Sequence, residues 1–466
     1  MKRIYYMLVA AGAAMVLGAG CSTYKNQSQS MTSAWVGGRP DIAAKEFGDK
    51  ADKEGESKDS VVWHLEAGAA YRAAGNYSNS LTHLDAAQVQ IEKYEERAKV
   101  KVANEAGAIM SNQQNLPYEG KSYDKIMLHT YKALNYLALG DADKARPEII
   151  RAYQRQQDAV DENARRIEKA REMEAQSKEK DKVEKAKADP KFSGALDGVN
   201  KDLEGFKFYA DYVNPFTVYL DGLFFLYQGT GGSDLEHAVK SLNRVIEVAG
   251  DNKFVQADLA AATNAVAGQS PGACTYVIFE TGQAASLDQI RIDIPIIITK
   301  VSYVGAAFPK LARHYGEAPS LAVKAGDVQE TTAPLASMDA IVGLDFKNEF
   351  PVIVTKTVVS TVAKAVATYA INEAASRSDA WVGLLTKVAT AAAGAAMNIA
   401  DTRTWTTLPK EFQVAKIVTP ADRKLTLSAG SSAPVEVTLL DGEVNVVYAK
   451  SVTATTPLLV SQFKLK

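Results

Sequence analysis

One spacing recurs in the first half of the chain and limits what that half can fold into. Gly68, Tyr71, Gly75, Tyr77, Ser80, Leu84 and Ala87 follow one another at steps of 3, 4, 2, 3, 4 and 3. Ala133, Tyr136, Gly140, Ala142, Ala145, Ile149 and Ala152 repeat the same steps. Steps of three and four keep residues on one helix face, and the step of two across a glycine breaks that register. Each segment therefore reads as helix, tight turn, helix. A small residue at Gly68 or Ala133 lets the paired helices approach, Tyr71 or Tyr136 fills the groove, and Gly75 or Gly140 ends the first helix.

This spacing resembles the tetratricopeptide repeat, a helix–turn–helix unit of about 34 residues whose stacked copies form a concave binding surface. A looser third copy uses Gly222, Phe225 and Gly229, then Leu235, Ala238, Leu242 and Val245, with four extra residues in its turn. The two clear copies start 65 residues apart (133 minus 68), so they are not neighbours in one unbroken solenoid. The expectation for residues 40–266 is a TPR-like helical domain. Tyr71, Tyr77, Tyr136 and Phe225 are its candidate partner-binding groove.

The N-terminus carries an address. Lys2 and Arg3 precede a 14-residue uncharged run, Ile4 to Leu17, too short to span a bilayer comfortably. The run closes on Leu17-Gly18-Ala19-Gly20-Cys21. This resembles the lipobox of bacterial lipoproteins, with Leu17 one place further from the cysteine than usual. Residues 1–20 are then a signal peptide and Cys21 the lipidation site. Several acyl chains on Cys21 anchor stably where a single chain does not. Ser22, not Asp, follows Cys21, which in such lipoproteins implies the outer membrane. An ordinary secretory signal is the alternative. Residues 21–39 are small and polar and read as a flexible tether.

Residues 154–205 are rich in alternating charge, with few apolar positions, and read as a projecting charged helical hairpin. Beyond Gly268-Gln-Ser-Pro-Gly the pattern changes to a mixed domain, residues 267–466. Residues 275–280 and 290–298 read as strands, and 301–313 is ambiguous. Residues 351–400 read as an Ala-rich helical hairpin whose second leg, 380–400, packs tightly or contacts a membrane or ring neighbour. Residues 411–466 read as short strands of a β-sandwich, with Asp441-Gly442 as a hairpin turn. The fold class expected is α+β.

Composition excludes several classes. Lys plus Arg is 53 against 55 for Asp plus Glu, a net charge of −2, so no basic field points to nucleic acid. Two cysteines and five scattered histidines supply neither a structural zinc site nor a histidine-based catalytic set, and no metal or cofactor is expected. Cys274 reads as a buried thiol. Ser122 to Lys125 fits Ser-x-x-Lys, but so does Ser22 to Lys25, and the companion motifs of penicillin-recognising enzymes are missing. Asp401, Arg403 and Trp405 form the best polar cluster near the junction of the two halves, read first as a structural pair and second as a binding site.

Several segments resemble an uncharacterised family of bacterial tetratricopeptide-type lipoproteins: Tyr118 to Asp141 (YEGKSYDKIMLHTYKALNYLALGD), Asn214-Pro-Phe, Arg291-Ile-Asp-Ile-Pro, Tyr303 to Lys310 (YVGAAFPK) and Asp401 to Pro409 (DTRTWTTLP). The resemblance implies an outer-membrane lipoprotein, often encoded near lipoproteins that activate peptidoglycan synthases, and supplies no catalytic residues. The expectation is a non-enzymatic scaffold that recruits a periplasmic or outer-membrane protein and can form homo-oligomers. An envelope hydrolase with its site near Arg403, or a membrane-associated ring or pore subunit, are the alternatives.

Overall fold

The computed structural model describes residues 23–100, 113–209, 212–298, 301–376 and 399–466. Cys21 and most of the second leg expected at 380–400 lie outside them. The chain is α+β, with helices first and sheets after. Helices α1 (Tyr24–Gln27), α2 (Gln29–Val36), α3 (Pro40–Glu54), α4 (Ser60–Ala73) and α5 (Tyr77–Val100) come first. They are followed by α6 (Ser122–Ala138), α7 (Ala142–Ala175), α8 (Lys180–Lys187), α9 (Pro190–Glu204), α10 (Pro215–Gln228), α11 (Gly232–Ala249) and α12 (Lys253–Val266).

The repeated spacing corresponds to repeated geometry. Gly75 and Gly140 take the left-handed conformation, φ 76° and 77°. At the first turn Gly75 N donates to Arg72 O at 3.0 Å and Asn76 N to Tyr71 O at 2.9 Å. At the second, Gly140 N donates to Leu137 O at 3.0 Å and Asp141 N to Tyr136 O at 2.8 Å. Both turns thus satisfy the last carbonyls of one helix in the same way. The next helix starts alike as well, since Asn76 Oδ1 accepts from Asn79 N and Asp141 Oδ1 from Lys144 N. The third turn differs: Gly229 is extended, and Asp234 accepts from Thr230 N at 2.9 Å. A Cβ on Gly68 would lie 2.6 Å from Leu84, and one on Gly222 2.9 Å from Leu242. The glycines are therefore where the helix pairs touch.

Two expectations about the helical half are overturned. Residues 23–39 of the expected 21–39 tether are not one: α1 and α2 are folded, with Tyr24 3% and Trp35 1% exposed. Averaged polarity hid two large aromatics, which dominate the burial of such a segment. Nor does the charged stretch project freely. Beyond α7, helices α8 and α9 turn back and bury Val183, Ala186, Phe192, Val199 and Leu203. Phe192 meets Phe308 with ring centroids 6.1 Å apart, and Lys187 Nζ donates to Thr355 Oγ1 at 3.0 Å. Phe192, Val199 and Leu203 stand seven and four positions apart, so they share one face of α9, which the surrounding charge masked.

The second half holds β1 (Cys274–Thr281), β2 (Ser286–Ile298), β3 (Val301–Ala312), β4 (Leu321–Ala325), β5 (Val328–Thr331), β6 (Ala333–Ser337) and the long helix α13 (Met338–Ser376). After it come β7 (Glu411–Ile417), β8 (Lys424–Ala429), β9 (Val435–Thr438), β10 (Val444–Ser451) and β11 (Leu459–Lys464). The ambiguous 301–313 segment is strand, paired antiparallel with β2 in a two-stranded ribbon. One sheet has the order β11-β10-β1-β7-β6 and another β5-β4-β8-β9. The last five strands are therefore not a self-contained sandwich. β1 lies between β7 and β10, parallel to the latter with Val277 opposite Val447.

Asp441-Gly442 is not a hairpin turn either, because β9 pairs with β8 and β10 with β1 and β11. All eight residues of β10 are buried, whereas β9 buries only Val437 of its four. A wholly buried strand needs a neighbour on each edge and cover on both faces, and β9 supplies neither. The Ala-rich helix expected to begin at residue 351 begins earlier: α13 runs from Met338 through Pro351, whose lost backbone bond is offset by burial of Phe346, Phe350, Val358 and Val362 on either side. Helix α13 is long and apolar enough to cross a membrane by length and composition, yet its first half is core.

Trp35→Ala should destabilise the protein by about 3–5 kcal/mol in chemical denaturation, the usual cost of emptying a buried indole site. A tether would show no change. Gly68→Ala should cost about 1–3 kcal/mol by overpacking against Leu84.

Candidate functional site

The connector that enters β7 carries the cluster singled out in the sequence, and the structure draws it into the helical half. Arg403 is 2% exposed. Its Nη2 and Nε donate to Asp401 at 2.6 and 2.8 Å, and Nη1 donates to Asp59 Oδ1 at 2.8 Å and Leu116 O at 2.9 Å. The Tyr118 ring lies 5.4 Å from the guanidinium carbon. Burial lowers the guanidinium pKa, but Asp401 and Asp59 more than offset it, and the net shift is upward. Every direction in which Arg403 could bind a substrate is already used, and both carboxylates face it. Trp405 is fully buried, its Nε1 donating to Thr407 Oγ1 at 2.9 Å and its ring meeting Tyr131 edge-on at 5.8 Å. The cluster joins the two halves and holds no free nucleophile or proton donor.

A second contact, not anticipated from sequence, complements it. Glu66 on α4 is fully buried and accepts from Tyr24 Oη at 2.7 Å, Thr406 N at 2.6 Å, Thr406 Oγ1 at 2.6 Å and Thr407 N at 3.0 Å. Burial raises its pKa against these four bonds. In sequence, Glu66 looks like any polar residue on a helix, and only the arrival of the connector distinguishes it.

The four aromatic residues expected to line one groove do not share one. Tyr71 is half-buried and stacks on His83 at 5.3 Å. Tyr136 is half-buried beneath Lys144. Phe225 is 4% exposed, closed over by Arg146 at 4.8 Å and His237 at 4.4 Å. Tyr71, Tyr136 and Phe225 thus each pack against different neighbours and share no surface. Tyr77 lines an opening at the seam with the five-stranded sheet. A different cleft, of about 770 Å³, lies between α1–α2 and the base of the β2–β3 ribbon. Tyr24, Lys25, Gln29, Leu287 and Tyr315 line it, and Tyr315 is 77% exposed.

The histidines elsewhere contact other polar side chains. His129 contacts Glu148 at 2.6 Å, His237 contacts Asp221 at 2.8 Å, and His64 contacts His83 at 3.0 Å. Cys274 is a buried thiol whose pKa burial raises. Among the described residues no group of three His, Cys, Asp or Glu is placed to hold a metal. Asp124, at the start of α6, is fully buried and accepts from Tyr118 Oη at 2.5 Å and Lys121 N at 2.8 Å, both through Oδ2. Its Oδ1 has no partner. Burial pushes its carboxyl up to about 7 despite those two bonds.

Arg403→Met should destabilise the fold by about 3–5 kcal/mol, because Asp401 and Asp59 are left without their cation. Asp124 sets a pH dependence. Its folded pKa lies above the unfolded value of 3.8, so the native state holds more protons between these pH values, and stability falls as pH rises from about 4 to 7. Asp124→Asn, which mimics the protonated acid, should remove that part of the slope in urea titrations at pH 5, 6, 7 and 8. An unchanged slope would place the dependence elsewhere.

Comparison with protein-family models, with curated proteins and with solved structures gives no match to the chain.

Proposed function

We propose that the protein is a lipoprotein of the outer membrane, anchored through Cys21 and facing the periplasm. In this reading it acts as a non-enzymatic, TPR-type protein-binding scaffold in cell-envelope assembly or cell-wall synthesis. The observation that carries most of this reading is the cleft beside α1–α2. Its wall begins at Tyr24, three positions after Cys21, and Tyr315 stands exposed on it. A lipid at Cys21 would hold that cleft close to the bilayer, because only Ser22 and Thr23 separate Cys21 from Tyr24. The partner is a protein of the periplasm or the outer membrane. The shared turns at Gly75 and Gly140 support the repeat reading of the helical half. The hydrolase alternative loses its residues, since Asp401 and Arg403 are consumed in holding the halves together.

Cys21→Ala should abolish incorporation of labelled palmitate and move the protein from the membrane pellet to the soluble fraction. A photocrosslinking amino acid at Tyr315 in the native lipidated form should capture one discrete protein, while the same probe at Val418, 82% exposed on another surface segment, should not. Retention of membrane association without Cys21 would refute the anchor. Equal, diffuse crosslinking at both positions would refute the docking cleft.

A further inference from the structure

The cleft beside α1–α2 has one buried polar group in its wall that the chain itself leaves idle. Gln283, just beyond β1, lines the cleft and is 9% exposed. Among the described residues its side-chain amide makes no hydrogen bond. The backbone on both sides of it is pinned. Gly282 N donates to Ser451 O and Ala284 N to Leu408 O, both at 3.0 Å. A nine-tenths buried amide is thus held at the cleft wall with neither its donor nor its acceptor used, which costs free energy until something pairs with it.

The charges on the cleft wall are matched already. Lys25 pairs with Asp288 at 3.2 Å, and Glu317 with Lys410 at 2.7 Å. His314 contacts Ser286 Oγ at 2.9 Å, and burial, with Lys410 and Lys25 nearby, lowers its pKa. A charged occupant would find no free counter-charge there, so the wall suits an uncharged one. The same chain shows what satisfies a glutamine amide. Gln462 Nε2 donates to Thr438 O at 3.0 Å, and its Oε1 accepts from Leu440 N at 3.2 Å. One side-chain amide thereby holds a stretch of main chain by both of its groups. Donor and acceptor stand side by side on the amide, as N–H and C=O do along the edge of an extended chain.

We propose that the docked protein enters this cleft as an uncharged, extended segment, and that the Gln283 amide grips its main chain through the same two bonds. This rests on the docking reading of the cleft and adds to it the chemistry of the segment and the residue that selects it. Leu287 and the exposed Tyr315 ring offer apolar contact to the side chains of the segment. The hydroxyls of Thr32 and Thr402, which make no hydrogen bond among the described residues, line the same cleft.

The test uses the full lipidated chain with the photocrosslinking amino acid at Tyr315, in isolated membranes. Gln283→Met keeps the length of the side chain and removes only the amide. Capture of the docked protein should fall about ten- to thirtyfold, the value of two lost hydrogen bonds. The melting temperature should not fall, because the amide bonds nothing within the chain. Raising NaCl from about 50 to about 500 mM should leave capture by the unsubstituted cleft unchanged, since no ion pair forms across it. Mass spectrometry should place the crosslink within a run free of Asp, Glu, Lys and Arg. Absence of any discrete capture would refute the docking reading and this inference with it. Undiminished capture or a lowered melting temperature in Gln283→Met, loss of capture at high salt, or a crosslink within a charged run would each overturn this inference and leave docking standing. Should Gln283→Met not fold, the salt series and the crosslink position still decide.

Discussion

The joining of the helical half to the sheets depends on a buried guanidinium. Removing an arginine side chain from water costs several kcal/mol unless its donors and charge are matched on the spot. Arg403 meets that condition with groups from three places in the chain: Asp401 beside it, Asp59 before α4, and the carbonyl of Leu116 before α6. None of these alone could hold it. The connector, the start of α4 and the loop before α6 must therefore assemble together, and loss of one exposes the others to an unmatched charge. This makes the junction cooperative, and it makes Arg403 unavailable for chemistry.

Glu66 repeats the arrangement with opposite sign. Here the helical half sends a carboxylate into the connector, which answers with the backbone N–H groups of Thr406 and Thr407 and the Thr406 hydroxyl. Glu66, Ala69 and Arg72 follow at steps of three, so one face of α4 meets the connector and then the sheet. Along that face lie the Glu280–Lys450 pair and Trp35, whose ring Lys450 approaches at 4.6 Å. Segment α1–α2 is held by the same system, through Tyr24 on Glu66 and Trp35 on Lys450. The contact surface between the halves is thus charged at its centre and satisfied nearly everywhere.

Sequence patterning was most reliable where a local rule decides conformation. The turns at Gly75 and Gly140 were legible because a left-handed residue after a helix selects glycine whatever surrounds it. Strand positions were legible in the last fifth of the chain for a similar reason, since β-branched runs separated by Gly and Pro form strands with many possible neighbours. Who those neighbours are was not legible. Asp441-Gly442 has the local chemistry of a hairpin, yet β10 pairs instead with β1, which lies some 170 positions earlier in the chain (444 minus 274). Likewise, Tyr24 and Trp35 were lost in a polar average, and the apolar face of α9 formed by Phe192, Val199 and Leu203 was lost in a charged one. The expected groove failed for a related reason: equivalent positions in successive helix pairs share a local environment, not a common surface.

What the amino-acid order determined by itself is the division into a helical first half and a strand-rich second half, and the glycine-closed turns. Those follow from dihedral preference and short-range periodicity, which act within a few residues. What only the tertiary structure decided is strand order, the folding of residues 23–39 onto the body, and the role of each buried charge. Glu66, Arg72, Arg403 and Glu280 are ordinary polar letters in sequence. Their protonation, partners and purpose come from groups far along the chain, because in a low-dielectric seam the cost of a charge is set by what stands next to it.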